Sequence, residues 1–534
     1  VEELNCKIKR KEPGTKEKSL HVLAVMVPGG PYAEDKERRL RARYAVISAL
    51  TGLPYTPQDP EHIEFVEFKE TCNTVLQELR AIKLLRATES AEDTGKLNDT
   101  ERKLEEKVHF CHMGAFMPYE WFKRQDNDVD KILVLWLDSS GFTSTQTPLN
   151  TIGFLKKELN IKESNSHFSI IGPAGSDALN VMYREVTDIE EIIPIKNLYN
   201  AVHSHRSFYT ELENSYIYTP TATVEKKHLH GKDNGRKINR NWLDERIVRT
   251  ISTQDKLANT ILCELALRGV IPYHAENTQS IQKGCGGLSG FVLPNNHKPH
   301  HIALIGERDT FYSQKLNESL LNAINPSKKP WVHSFYYLRG LDGITYEHSS
   351  TQKENKNKQA NKPNSQETKE TMERPVGPSQ LDYLRSLAEQ IKQLDSQYAN
   401  EGGIKAIGIT GSDTYDKLLI LQALRNKFPK TLFFTTDLDA RLFYPTEIKW
   451  TRNLLVASPF GLQLSNTLQK TTPPFRDNYQ TSIYLSTIIA IQCNQGLEHC
   501  GKSPQFKAKL WTEEPRMFEI GNHGAIDLSH SSTS

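Results

Sequence analysis

The sequence lacks an excess of charge of either sign: its 534 residues hold 67 Lys and Arg against 65 Asp and Glu, a formal net charge of +2. Nucleic-acid-binding surfaces are strongly and locally basic, so this balance argues against such a partner. Long hydrophobic runs are missing too. The tightest, Ile483–Ile491, falls far short of the roughly 20 apolar residues that span a bilayer. Cysteine is sparse. The seven residues, Cys6, Cys72, Cys111, Cys263, Cys285, Cys493 and Cys500, are too few and too scattered for a disulfide framework. They read as buried or free thiols, although Cys493 and Cys500 flank a polar loop that a bridge would close in an exported protein.

Catalytic signatures are also wanting. Gly501-Lys-Ser503 has no upstream glycine at the spacing of a phosphate-cradling loop, and no strand leads into a Gly-x-Gly-x-x-Gly turn. Gly286-Gly-Leu-Ser-Gly290 lacks the register of a hydrolase nucleophile elbow. Neither His297, His300 and His301 nor His109, Cys111 and His112 shows a recognised metal-ligand spacing. The sequence therefore predicts no metal, no cofactor, no catalytic residue and no enzyme. It begins at Val1 with neither Met nor a signal-peptide pattern, which predicts a piece processed or excised from a longer product.

What is present is a soluble, globular balance of 37% apolar and 25% charged residues, long enough for two or three domains. Apolar strands repeatedly run into polar loops. Leu20–Val27, Ile63–Phe68 and Lys131–Leu137 read as early strands, with helices over Leu40–Leu50 and Ile152–Leu159. Phe168–Ile171 then enters Gly-Pro-Ala-Gly-Ser176. Tyr218-Thr-Pro-Thr-Ala-Thr223, Val248–Asp255, His301–Asp309, Ala406-Ile-Gly-Ile-Thr-Gly-Ser-Asp413 and Phe433-Phe-Thr-Thr-Asp437 follow. Strands alternating with amphipathic helices predict parallel βαβ units, with the polar loops lining the strands' carboxyl ends. Residues 185–215 and 226–241 are polar and irregular and read as insertions. The Lys/Asn/Gln/Glu tract over 351–379 predicts a disordered loop, and the charged stretch 76–107 is expected to be helical at both ends.

In order, these segments resemble the type I periplasmic-binding-protein family, the branched-chain amino-acid-binding proteins and the ligand-binding regions of related receptors. The resemblance is carried by Ile171–Ser176, Pro220–Thr223, Arg249–Asp255 and Ile302–Ile305. It continues through Asn453–Ala457, the stretch from Pro474 to Ile491 with Tyr484, and the closing Phe518-Glu-Ile-Gly-Asn-His-Gly524. It covers roughly 131–528. The family's Tyr-Asp-Ala has Leu485 in place of Asp, and the usual Gly-rich first unit is absent. The resemblance implies an α/β fold of two Rossmann-like lobes, each with a parallel sheet, joined by multiple hinge crossovers. The first lobe is expected to take 1–248, the second 249–452, with 453–504 returning to the first and 505–534 to the second.

The implied function is that of a non-catalytic solute-binding or sensory domain, periplasmic or otherwise extracytoplasmic. It would hold an amino acid or related carboxylate in an interlobe cleft. Ser176, Thr221 and Thr223 would hold the anionic group, since hydroxyls and amides donate without bringing a charge that must be desolvated. Phe311, Asp413 and Asp437 would face it, Asp437 taking an ammonium group. Beyond that small molecule, the resemblance leaves room for a membrane-embedded or signalling partner outside this stretch and for a homodimer. Each residue also has a plain structural alternative: Ser176 and Asp413 as helix caps, Thr223 as a strand-end turn, Asp437 as a solvated charge, Phe311 as loop packing. The competing function is a ligand-free interaction or scaffold module that keeps the two-lobed fold.

Overall fold

The computed structural model describes residues 4, 20–29, 33–68, 116–126, 130–139, 148–161, 166–192, 211–229, 241–272, 299–324, 331–341, 379–494, 503–512 and 514–529. The expected disordered loop, except for its last residue, and the expected helices of 76–107 lie outside them. The chain divides into two compact units, residues 1–253 with 459–514 and residues 254–458 with 515–534. It therefore passes between them three times.

The first unit is built on β1 (Leu20–Val27), β2 (Tyr55–Pro57), β3 (Glu64–Glu67), β4 (Phe116–Arg124), β5 (Lys131–Asp138), β6 (Ser166–Ile171), β7 (Tyr216–Thr219) and β8 (Ile247–Arg249). The sheet order is β2-β4-β5-β1-β6-β7-β8, with β3 paired to β4. β1, β5 and β6 are nearly continuous apolar runs because both faces of a central parallel strand are covered. Helix α1 (Ala33–Gly52) buries Ala42, Ala45, Val46 and Ala49 in the core that it shares with this sheet. Helices α2 (Pro148–Glu158) and α3 (Ser176–Ile192) follow β5 and β6.

The second unit carries α4 (Gln254–Leu267), β9 (His301–Glu307), α5 (Phe311–Ile324), β10 (Val332–Tyr337), α6 (Ser379–Gln397), β11 (Ile404–Thr410), α7 (Thr414–Leu424), β12 (Leu432–Thr436) and β13 (Leu454–Ser458). Its order is β10-β9-β11-β12-β13-β14-β15, where β14 (Arg516–Gly521) and β15 (Gly524–Asp527) form the closing hairpin. Leu257, Ile261 and Leu265 of α4 and Leu316, Leu320 and Ile324 of α5 repeat at helical spacing and pack on Ile302 and Leu304. α8 (Asn478–Asn494) belongs to the first unit, where Leu485 and Ile488 join its core.

Both sheets share one frame. Numbered within each unit, β5-β1-β6-β7-β8 and β10-β9-β11-β12-β13 are the doubly wound order 2-1-3-4-5, all parallel. Such a sheet opens a crevice where the winding reverses, outside the carboxyl ends of its first and third strands. The two-unit α/β architecture with several crossovers is present, with antiparallel additions on the β5 edge of the first sheet: β3, within the expected strand Ile63–Phe68, and β2 and β4, which the sequence reading missed. The thiol reading is corrected as well. Cys263 on α4 and Cys493 on α8 are each disulfide-bonded.

Candidate functional site

The winding reverses beside β1 and β6 in the first unit. The loop after β6 starts α3 at Ser176, which is buried because its hydroxyl accepts from the Val224 amide at 3.3 Å. That bond ties the helix start to the segment following β7. Thr221 donates to the Pro173 carbonyl at 3.2 Å, a second tie between the same loops. Arg249, at the end of β8, clamps the segment from the other side, donating to the carbonyls of Ala222 at 2.5 Å and Val224 at 2.9 Å. Burial lowers the guanidinium's proton affinity, yet two carbonyls remain its partners.

Thr223 differs from Ser176 and Thr221. It is 0% exposed, and its hydroxyl has no hydrogen-bond partner among the described residues. A buried hydroxyl left unmade costs about 1–3 kcal/mol, and the hydroxyls of Tyr218 and Thr219 on β7 are in the same state. Ser176, Thr221 and Thr223 are thus brought together on two adjacent loops.

In the second unit the reversal lies beside β9 and β11, and the edge there is acidic. Glu307, the last residue of β9, is 0% exposed and points into the loop after β11. It accepts from the Ser412 amide at 2.8 Å, the Asp413 amide at 3.2 Å, the Ser412 hydroxyl at 3.0 Å and the Thr310 hydroxyl at 2.7 Å. A Cβ at Gly411 would lie 2.0 Å from the Tyr337 hydroxyl and 2.9 Å from Glu307 Oε1, so glycine is needed there. Asp413 caps α7, accepting from the Tyr415 amide at 2.8 Å. Asp416 accepts from the Gly340 and Leu341 amides at 3.0 and 2.7 Å. Burial, reinforced by the Asp413 charge, pushes the Asp416 carboxyl up to about 8 against those two amides. The Tyr337 hydroxyl is held well above its ordinary range, chiefly by burial and then by Glu307, Asp416 and Asp413.

Asp437 is buried rather than solvated. Its backbone adopts φ 62°, a left-handed conformation that Asp tolerates. The Tyr312 hydroxyl donates to it at 2.7 Å and the Thr436 hydroxyl at 3.1 Å, while Lys417 Nζ stands 4.0 Å away. Phe311 begins α5, half-buried, with Lys315 Nζ 5.5 Å from its ring centre. Phe311, Asp413 and Asp437 therefore sit at the ends of β9, β11 and β12. The sequence reading passed over Glu307, Thr310, Tyr312 and Arg249 as site residues. An acidic residue closing an otherwise apolar strand was the available signal for Glu307. No group of three or more metal-ligating side chains occurs among the described residues.

No family model and no curated relative matches the chain. Several solved structures are similar to it at low identity. The branched-chain amino acid transporter substrate-binding protein LivJ of Streptococcus pneumoniae, in complex with isoleucine, is 8% identical. It is covered over 96% of this chain and 100% of its own, with a TM-score of 0.39. A periplasmic binding protein of Burkholderia mallei is 7% identical, covering 96% and 94%, with a TM-score of 0.43. A solute-binding protein of an ABC transporter from Rhodopseudomonas palustris, in complex with benzoate, is 9% identical, covering 96% of each chain, with a TM-score of 0.42. The type I periplasmic-binding-protein fold is read here from strand order and from the three chain crossings.

Proposed function

We propose that the chain is a non-catalytic solute-binding or sensory domain for a small polar ligand, an amino acid or related carboxylate, taken up in the interlobe cleft of this fold. The observation that carries the reading is Thr223: a fully buried hydroxyl without a partner, on a clamped loop beside the start of α3. A ligand carboxylate would accept from it and from amides of the same loops. The acidic edge of the second unit supplies acceptors for the ligand's ammonium end. Disulfides at Cys263 and Cys493 support an extracytoplasmic setting.

Ligand binding would act by favouring whichever arrangement of the units binds it better. At a hundredfold excess over its dissociation constant a ligand adds about 2.7 kcal/mol of stability. A thermal-unfolding screen of the protein against the amino acids and small mono- and dicarboxylates is therefore expected to yield an upshift of several degrees with at least one compound. A screen without any shift would overturn the reading. It would favour the ligand-free interaction module, for which the self-satisfied Glu307 and Asp437 of the second unit already speak.

A further inference from the structure

The two reversal points differ in who fills them. In the second unit the donors of the loop after β11 are aimed at one buried carboxylate. Glu307 takes the amides of Ser412 and Asp413 and the Ser412 hydroxyl, and the Thr310 hydroxyl closes its far side at 2.7 Å. No ion pair with a basic side chain holds this carboxylate among the described residues. A fully buried charge kept by neutral, convergent donors is the arrangement by which proteins bind free anions. The missing side chain at Gly411 is what lets the carboxylate lie that close. The donors lie 105 and 106 residues away in sequence, so the contact is tertiary and not a turn.

We propose that the loop after β11 is an anion site whose resident occupant is the chain's own Glu307 carboxylate. Glu307 is thereby the specificity determinant of the second unit, refusing a solute's negative end there. With those donors consumed, the carboxylates of Asp413 and Asp437 are what remains at the edge. A ligand group meeting it must be cationic or a hydrogen-bond donor. This last consequence deepens the solute-binding reading and rests on it; the occupancy of the loop does not.

The test is chemical replacement of the carboxylate. Thermal unfolding of the full chain carrying Glu307→Ala is measured in acetate and in chloride at equal ionic strength, beside the parent protein and Glu307→Gln. The Ala variant is expected to melt several degrees higher in acetate than in chloride. The parent and the Gln variant, whose loop is still filled, are expected to respond alike and by less than the Ala variant. If the Ala variant does not fold in chloride, refolding in acetate is expected to restore a cooperative transition. An Ala variant indifferent to acetate, one that acetate fails to refold, or a Gln variant or parent that responds equally would each overturn the proposal. The loop is read from the excess of the Ala variant's acetate response over the parent's, so a carboxylate site in the first unit, common to both proteins, does not enter it. A flat solute screen with a positive acetate response sinks the binding reading and leaves Glu307 assigned; the converse result does the reverse.

Discussion

The two units carry the same five-strand frame and end it in opposite chemistry. β1 ends in Val27, and the described loops after β6 and β7 bring hydroxyls together, with that of Thr223, like those of Tyr218 and Thr219 of β7, lacking a partner; the carboxylate at the described strand ends here is Asp138, beside Gly29. β9 ends in Glu307, and the second unit's corresponding loop is filled from within. One residue type at the end of the first strand, Val27 against Glu307, thus separates a loop with an unused hydroxyl from a loop whose donors are taken. The lesson is that strand order places a site, whereas its charge is decided by single side chains at the strand ends.

The largest expected effect breaks the comparison at Glu307. Glu307→Ala strands the buried Asp413 amide and Tyr337 hydroxyl and the part-buried donors of Ser412 and Thr310, and should cost about 3 kcal/mol in urea unfolding, measured in chloride. A loss under 1 kcal/mol would mean that the second edge is not held together by this carboxylate. Acid and base separate the units next. Burial, helped by His167, lowers His21 in the first unit from 6.5 to about 4. The unfolded chain then binds that proton more readily. Stability from His21 is complete above pH 6.5 and falls as the pH drops towards 4, by on the order of 3 kcal/mol. Asp416 in the second unit runs the other way. Its folded pKa of about 8 lies above the ordinary 3.8, so its contribution is complete below pH 3.8 and is lost as the pH rises towards 8. Urea midpoints against pH are expected to show His21→Phe flattening the acid limb and Asp416→Asn the alkaline limb. Unchanged limbs would remove the assignment.

Arg249→Met tests the clamp of the first unit. Losing two charged donors to carbonyls should cost about 2 kcal/mol with an unchanged denaturant slope, since the folded and unfolded surfaces stay the same. The smallest effect is the sharpest. Thr223→Val removes a buried hydroxyl that has no partner, so the ligand-free protein should become more stable, by about 1 kcal/mol. A destabilised Val variant would show that the hydroxyl is already in use.

Much of the frame was legible because central parallel strands are written as apolar runs: Leu20–Val27, Lys131–Leu137 and Ile302–Ile305 leave little else to be. The strand Phe116–Arg124 escaped because Pro118, Glu120 and Lys123 interrupt any alternation. Its register with β3 and β5 is what makes it a strand, and Glu120 is satisfied only in three dimensions, by Arg43 at 2.8 Å and Trp136 at 2.9 Å. At the site, Asp413 as a helix cap was readable from Ser-Asp-Thr preceding an apolar run. Glu307 was not, because its donors come from another loop. Nor was the state of Thr223, since a hydroxyl's lack of a partner is a property of the fold.

The most direct measurement is titration calorimetry of the parent protein and Thr223→Val with whichever carboxylate gives the largest thermal shift. The expected result is binding to the parent and at least tenfold weaker binding to the Val variant, about 1.4 kcal/mol for one lost hydrogen bond to a charged group. The variant should remain as stable as the parent or more so. Equal affinities for the two proteins would contradict the account, because the unpartnered hydroxyl would then have no ligand to meet.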